Sequence, residues 1–130
     1  MFGLILSAVQ CLVPPTVDTR PLLDAMYAVE STSGKNLVGD GGRAIGPYQI
    51  WREYWQDAVE HDPSIGGSYR DCMDKAYSER IIRAYWARYA PKGATVEQLA
   101  RIHNGGPSGH KRSATVKYWK KIVAAIRRFS

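Results

Sequence analysis

Glu30 closes a run of apolar residues at helical spacing, Leu22, Leu23, Met26 and Val29, and a glycine-rich stretch from Ser31 to Gly46 follows at once. A carboxyl group set against Met26 and Val29 is partly withdrawn from water. In such a setting the charged form would be disfavoured, which is what a general acid working near neutral pH requires. Asp40 lies further along, in Val38-Gly-Asp-Gly-Gly42. If this loop doubles back as a hairpin, Asp40 faces Glu30, and the two carboxylates suit glycoside hydrolysis, one as acid and the other as nucleophile, base or electrostatic stabiliser. Each also has an ordinary use, Glu30 as a solvated or capping helix-end residue and Asp40 as a turn residue. His103 stands before Asn104-Gly105-Gly106, where glycine lets the backbone approach a ligand; it serves either as a structural hydrogen-bonder or in support of the site.

Holding these residues requires a mostly helical α+β chain with one small β-hairpin or irregular loop after the first main helix. Thr19 as a cap and Pro21 in the first turn predict a helix that ends at Glu30, and the glycines after it forbid its continuation. Helical spacing returns at Ile50, Trp51, Tyr54, Trp55 and Val59 and stops at Asp62-Pro63. The longest helix is expected from about Ser68 to Ala90, ended by Pro91 and Gly93. Thr95 and Gln98 form a capping box for a short helix through Leu99 and Ile102. A last helix starts near Ser113 and turns Val116, Trp119, Ile122, Val123 and Ile126 inward.

At 130 residues the chain suits one domain, read as residues 17–130, preceded by an apolar arm or signal remnant over 1–16 that lacks a basic start and a clear cleavage site. Its formal charge of +6 implies attraction to polyanions: nucleic acid, anionic lipid or an acidic cell wall. Much of that charge lies near the C-terminus, in Lys111, Arg112, Lys117, Lys120, Lys121, Arg127 and Arg128, on an amphipathic helix. No nucleic-acid motif accompanies it, so an anionic bacterial envelope is the preferred partner and nucleic acid is not expected. Cys11 and Cys72 allow one disulfide at most, which excludes a disulfide scaffold; neither a metal nor a cofactor is expected.

Several short segments occur in order after Glu30-Ser31: Gly46-Pro-Tyr-Gln-Ile50, Tyr54-Trp55, Ala100-Arg-Ile-His-Asn-Gly-Gly-Pro107 and Tyr118-Trp-Lys-Lys121. Together they resemble the invertebrate-type lysozyme, or destabilase, family over roughly residues 22 to 124, and goose-type lysozymes and soluble lytic transglycosylases share a related plan. The resemblance implies a lysozyme-like fold, with Glu30 as general acid and Asp40 as the second carboxylate. It also implies that Tyr48 and Gln49 line the sugar cleft, and that His103, Asn104 and Gly105 form the turn facing the catalytic glutamate. The implied activity is cleavage of the β-1,4 bond between N-acetylmuramic acid and N-acetylglucosamine in peptidoglycan, by a monomer that is secreted, periplasmic or attached to the cell envelope. The rivals are a lytic transglycosylase, a wall-binding protein without turnover and a basic nucleic-acid-binding module. One departure is clear: members of the family in animals are disulfide-rich, whereas positions near Gly34, Ile45 and His110 hold no cysteine here.

Overall fold

The computed structural model describes residues 17–129. The expected arm over 1–16, and Cys11 with it, lie outside the described residues.

Helix α1 (Arg20–Ser31) starts with Pro21 in its first turn and buries Leu22, Leu23, Ala25 and Met26. It ends because Thr32, Ser33 and Gly34 all adopt positive φ. The exit is fastened by the buried Ser31, whose hydroxyl donates to Tyr27 O at 3.1 Å and accepts from Gly34 N at 2.9 Å. Three short antiparallel strands follow, β1 (Val38–Gly39), β2 (Ala44–Ile45) and β3 (Ile50–Trp51), in that spatial order. Val38 pairs with Ile45, and Ile45 with Ile50. The sheet has one strand more than a hairpin. Ile50 and Trp51, expected to begin a helix, pair with β2 instead, and helix α2 (Arg52–His61) starts directly after them.

The helix expected from Ser68 to Ala90 is two elements. A 3-10 turn over Tyr69–Met73 is opened by a Ser68–Asp71 capping box, and α3 (Lys75–Tyr89) starts afresh with Asp74 as its cap, the carboxylate accepting from Tyr77 N at 2.8 Å. Asp74 itself has extended backbone, φ −88 and ψ 132, so the helix cannot pass through it. Helix α4 (Val96–Gly105) has the Thr95–Gln98 capping box read from the sequence. A 3-10 turn over Ser113–Thr115 leads into α5 (Val116–Phe129). Ile122 is buried as expected, whereas Val116 is exposed, because the α-helix begins at that residue, at the outer edge of the packing.

Helix α1 packs mainly on α5, and α2 on α3, with α4 touching α1, α3 and α5. The core between them contains Leu22, Met26, Ile81, Ile82, Ile102 and Ile122, all at most 1% exposed. Two parts of the chain distant in sequence, the end of α1 and the C-terminal half of α4, are thereby brought together beside the sheet.

Candidate active site

A cleft of about 480 Å³ opens between the sheet and the helices. Glu30 lies at its base, Gly39, Asp40, Gln49 and Trp51 come from the sheet side, and Tyr54, His103, Asn104 and Gly106 from the helical side.

Glu30 is held by two groups from remote parts of the chain. His103 Nε2 lies 3.0 Å from Glu30 Oε2, and Tyr118 donates its hydroxyl to the same oxygen at 3.2 Å. The histidine side chain is only 2% exposed. Its Nε2 also lies 3.3 Å from the carbonyl oxygen of Tyr48, and its Nδ1 lies 2.9 Å from the Tyr54 hydroxyl. A carbonyl oxygen only accepts, so Nε2 carries the hydrogen and Nδ1 accepts from Tyr54. Burial raises the Tyr54 hydroxyl well above its ordinary value, helped by Tyr85 and Glu30; burial and the adjacent Glu30 do the same to Tyr118. Both phenols therefore keep their protons and remain donors. Tyr54 is further fixed by stacking on Tyr85, with centroids 3.7 Å apart and planes 8° from parallel.

The two oxygens of Glu30 are consequently inequivalent. Oε2 accepts from His103 and Tyr118, while Oε1 has no hydrogen-bond partner among the described residues. When the carboxyl is protonated, its proton belongs on Oε1, because a proton on Oε2 would compete with two donors already aimed there.

Asp40 occupies the turn between β1 and β2 with φ +49, a backbone that Asp tolerates better than most residues. It is exposed, and its Oδ2 accepts from Trp51 Nε1 at 3.2 Å. The cleft thus holds two carboxylates in unlike surroundings, Glu30 with its side chain 19% exposed among protein donors and Asp40 open to solvent.

The other expected site residues divide. Gln49 lines the cleft and donates from Nε2 to Gly46 O at 2.9 Å; a Cβ at Gly39 would meet the Gln49 amide oxygen, so a side chain there would push the flexible Gln49 amide aside. Asn104 is at the exposed rim. Tyr48 is placed differently from the expectation: its ring is completely buried and its hydroxyl donates to Glu79 Oε2 at 2.6 Å, so it has no surface to offer a sugar. Its contribution is the backbone carbonyl facing His103. Gly105 is also displaced from the cleft, since a Cβ on it would meet Thr115 Cγ2 at 2.5 Å, and the next residue, Gly106, lines the cleft instead. His103 belongs to the last turns of α4 rather than to a loop, and the chain leaves the helix only at Gly106.

Sequence reading missed Tyr54 and Tyr118 as neighbours of His103 and Glu30. It also missed Glu79, which is 7% exposed and accepts the Tyr48 hydroxyl. Burial works to raise this carboxyl, but bonds from Arg20 (2.6 and 2.9 Å), Tyr48 and Lys75 (3.2 Å) outweigh it and hold it at about 2. Cys72 is fully buried, and burial pushes its thiol up to about 12. Among the described residues, no group of three or more His, Cys, Asp or Glu is placed to hold a metal ion.

Helices and a small sheet meeting at a cleft with an acid at its base define a lysozyme-like architecture. The crystal structure of Tapes japonica lysozyme superposes with a TM-score of 0.69 at 31% identity, covering 85% of this chain and 92% of that one. The chain belongs to the destabilase family, whose model matches residues 20–125. Among relatives, it is 34% identical over 115 residues to the invertebrate-type lysozyme of Ruditapes philippinarum, covering 83% of this chain and 82% of that protein. It is 41% identical over 85 residues to Lysozyme 1 of Crassostrea virginica, covering 62% of this chain. The match spans only 44% of that longer relative.

Proposed function

We propose that the protein is a muramidase, hydrolysing the β-1,4 bond between N-acetylmuramic acid and N-acetylglucosamine in peptidoglycan. The observation that carries this reading is the asymmetric hold on Glu30, one oxygen engaged by His103 and Tyr118 and the other left for the cleft that Asp40 also lines.

Glu30 Oε1 gives its proton to the glycosidic oxygen as the bond from that oxygen to the anomeric carbon breaks. As Glu30 becomes anionic, the two donors on Oε2 take up part of the new charge without having to reorganise. Asp40 stabilises the positive charge that develops on the muramyl ring, and water finally captures the sugar, giving its proton to Glu30 and restoring the acid. His103 and the two tyrosines position Glu30 and keep one carboxyl face committed.

The substrate places the protein outside the cell or in an envelope space. The exposed basic residues of α5, Lys117, Lys120 and Lys121 among them, concentrate it on an anionic wall by long-range attraction that salt screens. The test is clearance of a cell-wall suspension together with mass spectrometry of the released fragments. Reducing muramyl ends are expected; 1,6-anhydromuramyl ends would assign the protein to the transglycosylases, and binding without release would make it a wall-binding protein.

A further inference from the structure

Trp51 borders two hollows. On one side lies the cleft of Glu30 and Asp40; on the other is a second cavity of about 270 Å³, lined by Gly42, Arg43, Trp51, Arg52, Glu53 and Tyr69. Two guanidinium groups lie on aromatic faces there. Arg43 Cζ is 5.5 Å from the centre of the Trp51 ring, and Arg52 Cζ is 4.6 Å from that of Tyr69. Both rings are tethered in turn, Trp51 through Nε1 to Asp40 and Tyr69 through its hydroxyl to Ile50 O at 2.6 Å and Arg43 O at 3.2 Å.

Neither arginine is held in a salt bridge by a described residue. Both are exposed. A guanidinium stacked on a fixed ring has surrendered much of its freedom already and still presents its N–H edge, which matches a carboxylate. Glu53 at the same cavity adds an acceptor. It disfavours a bare polyanion and suits a ligand that carries amide or amino N–H groups beside its carboxylates.

We infer that this second cavity is a subsite for the peptide stem of peptidoglycan, with Arg43 and Arg52 taking the stem's carboxylates, an inference that rests on the muramidase reading of the adjoining cleft. The stripped glycan is a poorer fit, because its N-acetylglucosamine units are neutral and each muramyl unit offers only its single lactyl carboxylate, without the stem's further carboxylates, amides and amino groups. The stem starts from the lactyl group of each muramyl sugar and carries free carboxylates, amides and amino groups, the mixture this cavity presents partners for. A stem leaving a muramyl ring seated against Asp40 has only to pass Trp51 to enter it. Bound there, the stem holds the muramyl unit on the Asp40 side of the cleft and so fixes which sugar stands on each side of the scissile bond.

The experiment compares soluble, uncrosslinked glycan strands that carry stems with the same strands stripped by an amidase, following new reducing ends. The unaltered protein is expected to show kcat/KM about tenfold higher on the stem-bearing strands, the size of a charge-assisted contact. Arg43→Gln with Arg52→Gln should erase that preference while keeping cleavage of stripped strands and the thermal midpoint. Lys120→Gln with Lys121→Gln, which weakens only long-range attraction, should retain the preference. No preference in the unaltered protein, a preference surviving in the arginine variant, or an equal loss on both substrates in that variant would overturn the inference. Inactivity of the unaltered protein on both substrates would overturn the muramidase reading itself, and the subsite with it.

Discussion

Glu30 and His103 are separated by 73 positions in the chain and by 3.0 Å in the fold. The imidazole donates from Nε2, its ring fixed by the Tyr48 carbonyl on one side and the Tyr54 hydroxyl on the other. The carboxyl proposed as general acid is thus held by a group that is itself held, which is how a carboxyl keeps one orientation against the pull of solvent.

Glu30→Gln should reduce cell-wall clearance by at least about a hundredfold, the lower end of what a positioned acid contributes. The amide keeps an oxygen for His103 and Tyr118, so the fold survives. Circular dichroism and a thermal melt beside the turbidity assay would check this, and near-normal turnover by a folded variant would sink the mechanism.

Tyr118→Phe tests positioning apart from substrate contact, because Tyr118 is buried behind Glu30 and does not line the cleft. Losing one donor on Oε2 should lower kcat by about tenfold and leave KM within about twofold. Tyr54→Phe should act in the same direction through His103, its ring still stacked on Tyr85. If either change raised KM alone, these hydroxyls would be serving the substrate rather than the acid.

Asp40→Asn is an unusually clean removal of charge. Asparagine also tolerates the positive φ of this turn and still offers an oxygen to Trp51 Nε1. Cleavage should fall by about a hundredfold or more with the melting temperature unchanged, as expected for lost stabilisation of an oxocarbenium-like state. A negligible change in rate would point to an enzyme working through Glu30 alone.

How much of this was legible in the sequence depended on distance along the chain. The end of α1, one residue after Glu30, could be read because its causes are local: an apolar stripe, then Thr32, Ser33 and Gly34 in left-handed backbone. The break at Asp74 was also written locally, in Ser68-x-x-Asp71 and Asp74 as successive caps, but the apolar spacing on either side masked it. Tyr48 carries opposite roles in its two halves, a buried ring anchored on Glu79 and a carbonyl turned to the site, and residue type alone does not separate them. Tyr118 reaches Glu30 across 88 positions because α5 packs on α1, a relationship that no spacing within either helix encodes.

Gly46→Ala should destabilise the fold by about 3 kcal/mol or more, since Gly46 has φ +82 and a Cβ there would land on the Cys72 carbonyl oxygen, a backbone atom with little room to retreat. Gly41→Ala, at φ +66 but with nothing nearby, should cost only about 1 kcal/mol. Urea unfolding of the two variants gives the comparison. Equal losses would show that backbone conformation, not the contact with Cys72, sets the requirement at Gly46.

Glu79 gives the acid dependence of stability a specific source. Its carboxyl is held at about 2 in the folded chain against an ordinary 4.5, so the folded form releases this proton more readily than the unfolded form. The contribution is therefore complete above about pH 5 and is lost as the pH falls from there towards 2. It amounts to on the order of 3 kcal/mol at most, given the shift and the side chain's burial. Glu79→Gln should lower stability at pH 6, because Arg20 and Lys75 lose their buried counter-charge, and should flatten the decline between pH 5 and pH 2.5. Urea unfolding at each pH measures both effects. Because Glu79 grips the Tyr48 hydroxyl and the Tyr48 carbonyl faces His103, the same variant should also lower kcat at pH 6. An unchanged kcat with lowered stability would confine Glu79 to holding the fold.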